Sequence, residues 1–317
     1  MPKLQIGDVT ARLPIIQGGM AVRISMAPLA TAVAEAGGVG TIAGSGMEPS
    51  ELAAEVRKAR RATSGVLAVN VMVAVRKFKE LVQAAIAEGI DLVIAGAGFS
   101  RDVFTWCREA AVPMVPIVGS ERVAKLAERF GASAVVVEGC DAGGHLGTEE
   151  HLMDLLPRIV GAVDIPVIGA GGVVTGADIK RVLDAGASGV QMGSRFVATE
   201  ECSASDGMKR MYVEATEDDI VLVRSPVGLP GRALRNPFQE RASRGVYPKR
   251  PPCRSCLKEC GKEYCIITEL EMAQRGDVEG GLVFAGASAA SVHDITTVAE
   301  LMRRLQDEWR AAEEGAA

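Results

Sequence analysis

Aromatic residues are scarce: two Trp, three Tyr and seven Phe make up only 4% of the 317 residues. An all-β sandwich normally carries more, so that class is disfavoured. Basic charge is not in surplus either. The 35 Lys and Arg face 40 Asp and Glu, a formal net charge of −5, which argues against a general nucleic-acid binder. No apolar stretch approaches the length of a membrane span, and residues 1–8 hold no apolar run behind a basic cap. The expectation is a cytoplasmic protein without signal peptide or membrane anchor, whose seven cysteines do not pair as disulfides.

What is abundant is Ala, Val, Ile, Leu and Met, within a hydrophobic share of 48%, together with 36 Gly. A short β-branched run, a loop of small residues and a helix-like stretch recur eight times. The runs occupy 14–16, 39–42, 66–69, 92–94, 114–118, 134–137, 166–168 and 189–192, with helix-like segments such as 49–61, 75–88, 121–130 and 176–185 between them. Several of these segments stop at a glycine (Gly37, Gly89, Gly131, Gly186), the usual helix terminator. Strands that are apolar throughout are buried on both faces, which indicates a parallel sheet. Eight βα units in about 200 residues predict a closed TIM (βα)₈ barrel, with an open doubly wound sheet as runner-up. The pattern breaks after Phe196 and resumes near Gly286, ahead of a final amphipathic helix over 296–312. The predicted division is therefore a barrel of residues 1–200 and 286–317, with residues 201–285 inserted before the closing helix as a lid over the C-terminal mouth.

In a barrel, the residues just after each strand line the site. Here they are Gln17-Gly18-Gly19-Met20, Ala43-Gly44-Ser45-Gly46, Asn70, Gly96-Ala97-Gly98, residues 138–145, Gly169-Ala170-Gly171-Gly172 and Gly193-Ser194. Any one glycine loop could be a simple turn. Six at one end of one barrel point to backbone that must approach a flat ligand or a phosphate closely. The last two, after strands seven and eight, sit where barrels bind phosphate. A lone histidine is more often structural than catalytic. His145, however, follows a glycine pair at a strand end, and an imidazole suits proton transfer. His151 reads as a solvated helix residue and His293 as part of a late loop.

Pro14-Ile15-Ile16-Gln17-Gly18-Gly19-Met20, Asn70, Ala142-Gly143-Gly144-His145, Pro166-Val167-Ile168-Gly169-Ala170-Gly171-Gly172 and Gly189-Val190-Gln191-Met192-Gly193-Ser194-Arg195-Phe196 together resemble the nitronate monooxygenase family. That family, formerly the 2-nitropropane dioxygenases, includes the flavin-type enoyl-acyl-carrier-protein reductase II. The likeness runs over residues 1 to about 200 and the last helix. It implies one non-covalent FMN at the barrel mouth. Gly18, Gly19 and Met20 would lie along the isoalloxazine, Asn70 at its polar edge, and Gly143 and Gly144 close to the cofactor. Gly171, Gly172, Gly193 and Ser194 would hold the phosphate, and His145 would be the catalytic base or proton donor. Gly19 stands where the family often has Pro, Ser194 where it often has Thr, and Cys140-Asp141 where it often has an acidic-Ala pair.

Four cysteines, Cys253-x₂-Cys256-x₃-Cys260-x₄-Cys265, crowd one short segment. Such spacing suits a [4Fe–4S] cluster or a structural zinc, with reactive or unliganded thiols as the third reading. Zinc usually takes two separated Cys-x₂-Cys pairs, and only one is present, so the iron–sulfur cluster is favoured. Well-studied members of the family work with FMN alone, which makes the cluster a departure. Cys107, Cys140 and Cys202 read as buried packing thiols. Residues 241–262 carry seven basic side chains against the single acid Glu259, either a solvated surface or a rim that offsets thiolate charge.

Two enzymes fit. The first reading oxidises an alkyl nitronate with oxygen through a flavin and His145; the alternative is an NAD(P)H-dependent reductase of enoyl thioesters or quinones, with electron transfer through a Cys-ligated cluster. The motif from Glu138 to Gly147 and the cysteines lean to the second, the family label to the first. A flavin- or metal-binding sensor is the non-enzymatic alternative. The expected partner is a small molecule, neither nucleic acid nor membrane, and self-association stays open.

Overall fold

The computed structural model describes residues 1–315. A short hairpin, β1 (Leu4–Ile6) with β2 (Val9–Ala11), precedes the barrel. The barrel strands are β3 (Ile15–Gln17), β4 (Gly40–Ala43), β5 (Leu67–Met72), β6 (Leu92–Gly96), β7 (Met114–Val118), β8 (Val135–Glu138), β10 (Val167–Ala170) and β11 (Gly189–Met192). A two-residue strand, β9 (Gly144–His145), lies outside the ring. All eight barrel strands pair in parallel, and the ring closes through Gln17 N–H to Val39 O (3.0 Å) and Val39 N–H to Ile15 O (2.9 Å). The predicted runs sit within a residue or two of the observed strands, except that β5 runs three residues further, to Met72, and the TIM barrel is the fold.

Strict alternation of side chains explains why these strands need no polar face. Ile16, Ala68, Ile94, Val136 and Ile168 point into the barrel, where Leu4, Ile6 and Ala11 of the hairpin plug the lower end. Their neighbours Ile15, Val69, Val93, Val135, Val137 and Val167 face the helical layer. That layer is α1 (Ala27–Glu35), α2 (Pro49–Ala62), α3 (Phe78–Ala87), α4 (Arg101–Glu109), α5 (Glu121–Arg129), α6 (Leu152–Val160) and α7 (Gly176–Asp184). Helix α7 starts at a capping box in which Asp178 N–H donates to Thr175 Oγ1 (3.1 Å) and Thr175 N–H to Asp178 Oδ2 (2.9 Å).

Beyond β11 the chain forms α8 (Ser194–Val197), α9 (Asp206–Glu214), the hairpin β12 (Ile220–Arg224) and β13 (Pro230–Leu234), α10 (Pro237–Ser243) and α11 (Ile266–Arg275). Helix α12 (Val298–Glu314) then packs between α7 and α1, completing the outer layer. Phe238, Leu257, Tyr264 and Ile266 from the intervening segment are buried in the same contiguous cluster as the helix-facing side chains of the barrel. Among the described residues no helix is long and apolar enough to cross a membrane.

Candidate active site

The glycine loops converge. Gly18, Gly19, Met20, Asn70, Gly143, Gly144, His145, Gly171, Gly172, Gly193 and Ser194 all line a single cavity of about 230 Å³ at the C-terminal mouth of the barrel. The residues expected to hold the cofactor or to act in catalysis therefore line one cavity, while other loop residues, among them Gln17, Gly44, Gly46, Gly98 and Cys140, do not line it. The four clustered cysteines are not part of its lining.

The first wall is built by a buried polar pair. Gln17, at the end of β3, donates from its amide to Ser25 Oγ (2.9 Å) and to the Gly18 carbonyl, and accepts from Thr41 N–H (3.0 Å). Ser25 Oγ in turn accepts from Met20 N–H (2.9 Å), which fixes the Gly18–Met20 loop. A Cβ on Gly19 would lie 2.3 Å from Asn70 Cβ, so the two loops touch and only glycine fits in this conformation. A proline, common in the family at this position, would need the backbone to shift.

The opposite wall is backbone. Gly171 has φ +109° and Gly172 φ +71°, conformations that L side chains rarely adopt. A Cβ on Gly171 would also meet Ala142 N at 2.9 Å. Among the described residues, the N–H groups of Gly171, Gly172, Gly193 and Ser194 donate to no protein acceptor. Ser194 Oγ accepts from Gly286 N–H (2.9 Å), tying the wall to the segment before α12. On the floor, Gln191 is 8% exposed and its Oε1 is buried without a partner. Buried polar groups are nearly always satisfied, so the unpaired Gln191 Oε1, beside four partly buried cavity-lining residues whose N–H groups have no protein acceptor, indicates a polar ligand.

His145 is positioned by residues far away in sequence. Strand β9 pairs with β13, His145 opposite Gly231 and Gly144 opposite Arg232, making a three-stranded sheet with the late hairpin. His145 Nε2 lies 2.7 Å from Ser225 Oγ, and Phe284 meets its ring edge-on with centroids 5.1 Å apart. Burial lowers its pKa to about 4, so the imidazole is neutral at physiological pH. Glu138, at the end of β8, also lines the cavity, and burial raises its carboxyl to about 7. Asp141 lines the cavity while its carboxylate holds His151 Nδ1 (2.7 Å) and Leu152 N–H (2.9 Å). His151 is exposed, and its bond to Asp141 raises its pKa.

Glu138, Gln191, Tyr212 and Phe284 were given no individual role by sequence reasoning. Glu138 could have been found, since an acid ending an apolar strand run marks a carboxyl at the barrel mouth. Tyr212 donates to the Phe284 carbonyl and is 2% exposed; no local pattern links the two. Elsewhere Cys107, Cys140 and Cys202 are buried, as expected, and all seven cysteines are free thiols.

A family model described as nitronate monooxygenase matches residues 4–308. The chain is 33% identical over 235 residues to (3aS,4S,5R,7aS)-5-hydroxy-7a-methyl-1-oxo-octahydro-1H-indene-4-carboxyl-CoA dehydrogenase of Mycobacterium tuberculosis, covering 73% of this chain. The alignment spans 66% of that relative, just under two thirds of its length. Among solved structures, FabK from Thermotoga maritima superposes with a TM-score of 0.86 at 30% identity, over 96% of this chain and 95% of the other. Nitroalkane oxidase from Streptomyces ansochromogenes superposes with a TM-score of 0.83 at 25% identity, over 97% and 98%. The barrel, the glycine-walled mouth and the match across nearly the whole chain agree: the chain belongs to the nitronate monooxygenase family of oxidoreductases.

Proposed function

We propose that the protein is an FMN-dependent oxidoreductase acting on an acyl thioester, with NAD(P)H as reductant. The residues fit FMN. The unpaired N–H groups of Gly171, Gly172, Gly193 and Ser194 suit a phosphate, the Gly18–Met20 loop and Asn70 suit a flat ring, and Gln191 Oε1 awaits a donor. FMN, when bound, supplies hydride transfer.

The observation that carries the thioester reading is the charge of the lining. Among the described residues no Lys or Arg lines the cavity; its ionisable groups are Glu138, Asp141, His145 and Tyr212, and burial keeps His145 neutral. An anionic nitronate would find no cationic side chain there, and the unpaired N–H groups are taken by the phosphate in this reading, whereas a neutral thioester carbonyl needs no counter-charge. Reduction of an enoyl thioester adds a hydride and a proton. Glu138, with a pKa near 7, carries a transferable proton at neutral pH. Neutral His145, held by Ser225, offers a hydrogen bond that orients or polarises the substrate. The relative named for an acyl-CoA supports this choice. Residues 201–285 act in the same reading as a lid, supported by the pairing of β13 with the His145 strand.

The second reading, oxidation of an alkyl nitronate with oxygen, is favoured by the family description. Anaerobic steady-state assays with crotonyl-CoA and NADH or NADPH are set against aerobic assays with propionate 3-nitronate. Thioester-dependent NAD(P)H oxidation without oxygen is expected. Turnover confined to the nitronate and requiring oxygen would reverse the choice.

A further inference from the structure

Residues 253–265 contribute no side chain to the cavity, yet the segment is built with care. It is pinned to the loop that follows β5. Leu257 forms an antiparallel bridge with Val75, Arg76 N–H donates to Cys256 O (2.9 Å) and Lys258 N–H to Ala74 O (2.9 Å). Lys258 Nζ reaches back to Val73 O (2.7 Å). At its other end Cys265 is the N-cap of α11. Both anchors adjoin the cavity wall, because Met72 at the end of β5 and Leu270 of α11 line it.

Cys253 and Cys260 are exposed, while Cys256 and Cys265 are partly buried against the barrel. Two of the sulfurs already receive hydrogen bonds, from Ser255 N–H to Cys253 Sγ (3.4 Å) and from Thr268 Oγ1 to Cys265 Sγ (3.2 Å). Ser255 and Lys262 hold φ of +51° and +66°, unusual for residues with side chains. Such turns bring successive N–H groups round to one side, as in anion-binding and iron–sulfur loops. Hydrogen bonds to sulfur stabilise thiolates and tune clusters.

We propose that Cys253, Cys256, Cys260 and Cys265 ligate a [4Fe–4S] cluster at the rim of the barrel mouth. Zinc usually takes two separated Cys-x₂-Cys pairs and this segment has one, whereas in a four-iron cube each of four thiolates binds a different iron. Four thiolates on a dipositive core leave a net charge of −2, and Arg241, Arg244, Lys249, Arg250 and Lys262 supply the opposite sign nearby in sequence. The site has an exposed side and a side tied to the cavity wall, the placement of a one-electron port between an external carrier and the cavity.

The test is reconstitution of the full chain under anaerobic conditions with ferrous iron and sulfide, followed by iron, acid-labile sulfide, zinc and flavin analysis. About four irons and four sulfides per chain are expected, with an absorbance that dithionite bleaches by one electron. Cys256→Ser and Cys265→Ser should each lose most of the iron while keeping flavin content and the denaturation midpoint. Cys107→Ala, remote from the segment, should keep the full complement. Stoichiometric zinc without sulfide, disulfides among the four thiols, or iron unchanged in both serine variants would overturn the proposal. Flavin content is read separately, so failure of the cluster is distinguishable from failure of the FMN reading.

Discussion

Replacing Gly171 by Ala puts the cavity wall to a quantitative test. At φ +109° an L residue is strained by about 1–3 kcal/mol. The new Cβ would also sit 2.9 Å from Ala142 N and 3.2 Å from the Asp141 carbonyl carbon, both backbone atoms that cannot swing aside. Overpacking of that kind costs about a further 1–3 kcal/mol, for a total of about 2–6 kcal/mol. Gly89→Ala is the matched control. Its φ is +81°, but a Cβ there meets nothing within 4 Å, so only the backbone cost of about 1–2 kcal/mol applies. Urea denaturation of both variants beside the parent chain gives the difference, and FMN titration followed by flavin fluorescence gives the functional consequence. Gly171→Ala should be the less stable of the two and bind FMN at least ten-fold more weakly; Gly89→Ala should bind it normally. Equal stability losses with unchanged flavin affinity in both would show that Gly171 does not form the wall described.

His145→Ala should retain FMN and lose about 10²- to 10⁴-fold in kcat, the range for a positioned proton-transfer or hydrogen-bonding group; full activity would remove His145 from the mechanism. Ser225→Ala, which deletes its 2.7 Å partner, should lower kcat about five-fold with flavin content unchanged. Folding lowers the pKa of His145 from 6.5 to about 4, so the unfolded chain binds more protons between those values. Its contribution is therefore present above pH 6.5 and lost as pH falls to 4, about 3 kcal/mol in all, a slope that His145→Gln should remove from the stability–pH curve. Glu138 is raised from 4.5 to about 7, so its contribution is present below pH 4.5 and lost as pH rises to 7. Glu138→Gln should remove that opposite slope.

The barrel was legible because its information is local. Short continuous runs such as 114–118 and 189–192, each followed by small residues, read as doubly buried strands, and Gly37, Gly89, Gly131 and Gly186 all take positive φ, as helix terminators do. The glycine loops were legible for the same reason, since each follows its strand directly. The surroundings of His145 were not. They depend on β9 pairing with β13 across some 85 residues, and on Ser225 and Phe284 arriving from the late segment; no periodicity encodes such contacts. The environment of Glu138 was hidden likewise, because burial of a carboxyl belongs to the closed barrel mouth and not to its neighbours in sequence.

The FMN site is tested most directly at Gly193. A Cβ there would meet nothing nearer than Met20 Sδ at 3.8 Å, and Gly193 and Met20 both line the cavity, so the valine variant is expected to fold and to take up cofactor space. Titration of Gly193→Val with FMN, beside the parent chain and His145→Ala, reads the cofactor site without reference to turnover. Saturable binding of about one FMN per chain is predicted for the parent and for His145→Ala. Gly193→Val should lose binding at an unchanged denaturation midpoint. Undiminished FMN binding by Gly193→Val would place the cofactor elsewhere and contradict the barrel-mouth site.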